Sequence, residues 1–149
     1  MTKYRNYLLL IFLLLYTFIG IYLSVTNGIS HDEFHEQLNW EVNLSSIKSF
    51  FTNGNINELL NYNDKYHGIG FHYLSHIYIN IVNLFVKFEH YSQNVSDVLI
   101  DHTFIFIIFF LSGIISKKIV YLLIKDDLFS NVFLIFYLLY PYLLGHGFY

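Results

Sequence analysis

The chain has 149 residues, of which 55% are hydrophobic, 21% aromatic and only 13% charged, about half the charged share of an ordinary soluble domain. A net charge of −3 without any basic run excludes a nucleic-acid-binding surface, and the lack of cysteine excludes disulfides and thiolate metal centres. One proline and eight glycines exclude a low-complexity chain, which leaves the class as an all-α integral membrane protein. The surplus of Ile, Asn, Tyr, Phe and Lys over Ala, Arg and Pro is the pattern of AT-rich coding, so the aromatic content is not by itself a functional signal.

The first element is the apolar run "YLLLIFLLLYTFIGIYLSV" after Lys3 and Arg5. About 20 apolar residues cross a ~30 Å hydrocarbon core as a helix, so a span is expected over 7–26. A secretory signal has a shorter apolar region and a small-residue cleavage site; neither is present, so the span is read as uncleaved. The basic flank places the N-terminus in the cytoplasm and the following loop, 27–68, outside the cell membrane.

That loop is polar and acidic, with Asp32, Glu33, Glu36, Glu41, Glu58 and Asp64 against Lys48 and Lys65. It opens on "SHDE" (Ser30 to Glu33), the S-x-x-E capping box that starts a helix. Phe34, Leu38 and Val42 then recur every four residues, a narrow apolar stripe suited to the membrane surface or to the ends of the spans. "TNGN" reads as a turn and "INELLNY" as a short helix.

A second hydrophobic segment, 69–88, is interrupted by His72, Ser75, His76, Asn80 and Asn83 at three- and four-residue steps. One face is therefore polar and is expected to look into protein or water rather than lipid. A polar connection over 87–101 leads to further spans expected at 103–124 and 128–148. Lys117 and Lys118 read as snorkelling residues at the end of the third span. No internal repeat or soluble-domain boundary interrupts the series. The expectation is one membrane domain of three to four transmembrane helices with a structured, partly helical external loop.

Chemistry-bearing residues concentrate in two places. In "HDEFH" (His31 to His35), Glu33 fits the capping acid and Asp32 complements the helix dipole, a contribution of about 0.3–1 kcal/mol that any nearby position would supply. An Asp just beyond a span end can reach a lipid headgroup and act as a general base on a hydroxyl. The order H-D-E-x-H does not match the H-E-x-x-H zinc motif; a divalent cation on Asp32 and Glu33 is the secondary expectation, since hard cations prefer carboxylates. In "YNDKYHGIGFHYLSH" (Tyr62 to His76), an interfacial aromatic belt competes with a substrate-facing rim. In the rim reading, Gly68 and Gly70 admit close approach, and Tyr66, His67 and His72 contact sugar or phosphate. His146 lies near the end of the last segment, where a satisfied polar residue and a substrate contact are the two readings.

Taken in order, "HDEFH", "DKYHGIGFHYLSH" and "YPYLLGHGFY" resemble the N-terminal part of bacterial GT-C-type glycosyltransferases, the polytopic group that includes protein O-mannosyltransferases and the lipid A aminoarabinose transferase. The resemblance implies a polyprenyl-phosphate-linked sugar donor, a lipid or protein acceptor outside the cytoplasm, and inverting transfer. It implies that Asp32 is the catalytic base with Glu33 beside it, and that His35, Tyr66, His67, His72 and His146 contact substrate. No cofactor beyond the cation is expected. The family's second acidic motif does not occur before Tyr149, so the chain is expected to be the N-terminal part of a larger enzyme and inactive alone. That motif faces outside in the family, whereas four full spans return the C-terminus to the cytoplasm. One segment is therefore expected to be re-entrant or interfacial, and 69–88 is the candidate. The competing class is a non-catalytic membrane subunit or assembly protein that binds a partner through the acidic loop.

Overall fold

A computed structural model describes residues 2–26, 28–29, 31–65, 70–86 and 91–140. Six helices make up the described chain: α1 (Thr2–Thr26), α2 (His31–Asn53), α3 (Asn57–Asn61), α4 (Gly70–Asn83), α5 (Gln93–Ile124) and α6 (Asp127–Leu139). There is no strand among the described residues, as the all-α expectation requires.

Two helices are long and apolar enough to cross a membrane, Tyr4–Thr26 and Gln93–Ile124. Among the described residues the expected spans at 69–88 and 103–124 are corrected, and the one at 128–148 is described only in part. The segment expected at 69–88 is helical only over the 14 residues of α4, about 21 Å at 1.5 Å per residue and short of a hydrocarbon core. The polar connection over 87–101 is already helix from Gln93, so the segment expected at 103–124 is the continuation of a 32-residue helix. The segment expected at 128–148 is helical over the 13 residues of α6, and its part beyond Tyr140 lies outside the described residues.

The chain divides into two compact units, Met1–Asn27 with Leu99–Tyr149, and Gly28–Val98. In the first, α1 turns many apolar side chains outward: Leu8, Leu14 and Phe18 are each more than 60% exposed. Its inward face carries Gly20 and Ser24. The ring of Phe106, fully buried, sits over Gly20, where an added Cβ would lie 2.0 Å from the ring. Tyr16, Phe106 and Phe110 stack around this contact at centroid separations of 5.8–6.4 Å.

Two bonds between helices serve the unpaired carbonyls that every helix leaves in its last turn. His102 Nδ1 lies 3.1 Å from the Ser24 carbonyl near the end of α1; the carbonyl only accepts, so that nitrogen carries the proton. Tyr16 donates its hydroxyl to the Leu138 carbonyl near the end of α6, at 2.8 Å. The α5–α6 corner is equally explicit. Lys125 adopts φ 60 and its N–H bonds the Tyr121 carbonyl at 2.8 Å, the left-handed stop that closes a helix. Asp126 then caps α6 by accepting from the Leu128 and Phe129 amides.

The tight Gly20–Phe106 contact makes a prediction. Gly20→Ala is expected to destabilise the helical unit by about 1–3 kcal/mol, the usual cost of overpacking. Thermal unfolding in detergent followed by circular dichroism measures it, and Phe106→Leu in the same chain is expected to recover part of the loss.

Candidate functional site

The sequence stretches that carry chemistry fall in the second unit, Gly28–Val98. Helix α2 begins at His31, where the capping box predicts; the cap residue Ser30 lies outside the described residues. It ends at the predicted turn, where Gly54 takes φ 68 and its amide bonds the Phe50 carbonyl at 2.9 Å, and α3 follows as expected.

The face that α2 buries is not the Phe34–Leu38–Val42 stripe. Phe34 and Leu38 are exposed, whereas Asn39, Trp40, Asn43 and Ser46 are buried. Period alone marks the stripe as apolar; it does not tell which solvent the stripe meets. Helix α4 follows the same inverted rule. Ser75 and Ile79 are buried and His72, His76 and Asn83 half-buried, so four of the five polar interruptions look inward as predicted. Asn80 is the exception and is exposed.

Polar and aromatic contacts between its elements hold this unit. His35 Nε2 is 2.6 Å from Asp64 Oδ2, so the start of α2 is bonded to the "NDK" turn that follows α3. Asn39, one helical turn further on, accepts the Tyr62 hydroxyl at 2.6 Å. Burial first, and then the Asp64 carboxylate, hold the Tyr62 hydroxyl above the ordinary phenol range. It therefore stays the donor at neutral pH, and the contribution is lost only as pH rises past the usual tyrosine value and through the raised one. Trp40 meets three residues of α4: it stacks on His76 at a centroid distance of 4.3 Å, takes Tyr73 edge-on at 4.9 Å and approaches His72 at 6.3 Å. Asn83 and Gln93 both donate to Asp97 Oδ1, at 3.0 and 2.7 Å, tying the end of α4 to the start of α5. Ser45 donates to the Glu58 carboxylate across α2 and α3.

Chemically, the His35–Asp64 pair is the most suggestive part. A carboxylate that accepts from Nε2–H fixes the ring and leaves Nδ1 as the free basic nitrogen in the neutral form. The His35 side chain is 59% exposed. Trp40 is different: at 7% exposure it is a packing element and offers no face to a sugar.

The predicted residues distribute as follows. Asp32 occupies the second position of α2, and its side chain lies outside the described residues, as do Tyr66, His67, Gly68 and His146. Glu33 is half-buried one turn before Glu36. His35 is joined to the second motif through Asp64, and His72 packs against Trp40. Gly70 has open space where a Cβ would stand. Among the described residues no group of three or more His, Cys, Asp or Glu side chains is placed to hold a metal ion.

Sequence reasoning did not single out Asn39, Trp40 or His102. The signal available for the first two was their spacing, four and five residues after His35, with the chain's one tryptophan at the second. A comparison with known protein families, curated proteins and solved structures finds no match.

The Asn39–Tyr62 bond is testable. Asn39→Ala is expected to cost about 1 kcal/mol of stability, read as a lower unfolding midpoint in detergent. The same substitution in a Tyr62→Phe background is expected to cost measurably less, because the shared bond is already gone.

Proposed function

We propose that the chain is, or forms part of, a membrane glycosyltransferase that moves a sugar from a polyprenyl-phosphate-linked donor to an extracytoplasmic acceptor hydroxyl with inversion. The observation that carries the reading is the His35–Asp64 bond, which joins two of the sequence stretches on which the glycosyltransferase resemblance rests. Asp32 stands one turn before His35 on the same helix and six residues past the end of α1. Six residues reach at most about 20 Å, so Asp32 is tethered close to a membrane crossed by α1.

The charge distribution supports the orientation. Gly28–Val98 carries net −5, and the rest of the chain +2, which together give the −3 of the whole. If α1 leaves the cytoplasm and α5 returns, Lys3 and Arg5 at the start of one helix, and Lys117, Lys118 and Lys125 at the far end of the other, all fall on the cytoplasmic side, as the positive-inside rule requires.

In the reaction, the Asp32 carboxylate takes the proton of the acceptor hydroxyl as its oxygen forms the new bond to the anomeric carbon. The bond from that carbon to the lipid phosphate breaks, and the phosphate departs with the electron pair as a stabilised anion. His35, held by Asp64, and Glu33 border the acceptor, while His72, Tyr66 and His67 are the proposed contacts to sugar and phosphate.

Transfer of a radiolabelled sugar from polyprenyl phosphate, measured in membranes expressing the native gene, tests the reading. Asp32→Asn is expected to lower transfer about 10²–10⁴-fold, the usual contribution of a general base, with expression and insertion unchanged; full activity of that variant rejects the assignment. His35→Ala and Asp64→Asn are expected to weaken transfer by similar factors, and the double variant by no more than either, since the two act as one unit.

A further inference from the structure

Helix α4 has two opposite faces of the wrong polarity for water. Buried or half-buried on one side are His72, Ser75, His76, Ile79 and Asn83. On the other, Leu74, Ile77 and Ile81 are all more than half exposed, and Leu84 and Phe85, in the turn that follows the helix, are exposed at 80% and 82%. At about 100° per residue the three residues on the helix fall within a stripe roughly 60° wide, opposite the buried set. A stripe of this width on a surface that faced water would drive association or aggregation.

We infer that this stripe is a lipid-docking surface: α4 lies along the bilayer interface with Leu74, Ile77, Ile81, Leu84 and Phe85 immersed in acyl chains. The occupant follows from what flanks the helix. The unit that holds α4 is bounded in sequence by the two helices long and apolar enough to cross a membrane. Its last residues, Gln93 to Val98, are the first turns of one of them. Asp97 on those turns is bonded to Asn83 at the end of α4, so α4 is fastened directly to a span. The outward face of α1 shows the same inversion, with Leu8, Leu14 and Phe18 exposed and Ser24 buried. At about 21 Å, α4 is too short to cross but suits an interfacial helix whose apolar face sinks about 5–10 Å into the headgroup and acyl boundary. In that position the inward face, with His72 and His76 on Trp40, is held at the depth of lipid headgroups.

The inference rests on the membrane placement of α1 and α5 and is independent of the chemistry assigned to Asp32. The chain has no cysteine, so single cysteines can be introduced directly and spin-labelled. The full chain carrying Ile77→Cys, Ile81→Cys, Leu84→Cys, Ile79→Cys or Leu14→Cys is reconstituted in phosphatidylcholine–phosphatidylglycerol vesicles. Collision of each label with oxygen, which concentrates in hydrocarbon, is compared with collision with a water-soluble nickel chelate. Labels at 77, 81 and 84 are expected to favour oxygen over nickel, as the α1 label at 14 does, and the label at 79 to meet little of either. Nickel-dominated collision at 77 and 81, with oxygen dominant at 14, overturns the proposal in favour of an aqueous face. Low collision with both reagents at 77 and 81 overturns it in favour of a protein partner or second copy. Nickel dominance at 14 itself overturns the membrane placement and this proposal with it, while leaving loss of transfer in Asp32→Asn as a separate question.

Discussion

The arrangement depends on an inversion of polarity. Helices α1, α2 and α4 turn small and polar side chains inward and large apolar ones outward. Ser24, Ser46 and Ser75 are almost completely buried, while Leu14, Phe34, Leu74 and Leu84 stand exposed. In water such a distribution loses the burial that stabilises ordinary domains. Against hydrocarbon the apolar side chains already have a favourable solvent, and helices associate through close packing of small residues and through hydrogen bonds. Gly20 against Phe106 supplies the first, and the His102–Ser24 and Tyr16–Leu138 bonds supply the second.

The same economy shapes the unit between the two long helices. It has few buried apolar side chains, chiefly Trp40, Ile79 and Val98, and is held by specific polar contacts instead. His35 to Asp64, Tyr62 to Asn39, and Asn83 to Asp97 each join one local element to another. Those contacts fix the start of α2 against the loop before α4, which is where the residues proposed to handle sugar and phosphate are concentrated. A unit organised in this way presents its chemistry on polar side chains and leaves apolar side chains such as Leu74 and Ile77 exposed.

Much of this was legible in the sequence, for physical reasons that differ by element. The first span and the start of α2 carry local signals, an uninterrupted apolar run and a capping box, and both elements begin and end close to where those signals place them. The polar side of α4 was readable because its interruptions recur at helical steps. The extent of α5 was not: Gln93 to Asp101 is polar in composition, and only its bonding to α4 and its continuity with the apolar run make it helix. Nor was the buried face of α2, because Asn39, Asn43 and Ser46 resemble solvent-facing residues until the surroundings are known to be inverted. Pairings between distant positions, His35 with Asp64 above all, have no local signature; both residues were visible as candidates, but their union was not.

The proposed topology keeps the chain between α1 and α5 on one side of the membrane, with α4 on the interface. Labelling of intact spheroplasts with a membrane-impermeant maleimide tests this directly, using single cysteines at Asn55, in the turn after α2, and at Ser92, immediately before α5. Both positions are exposed. The account predicts that both react from outside without permeabilisation. Reaction at position 55 but protection at position 92 until the membrane is opened would mean that α4 crosses, and would contradict it.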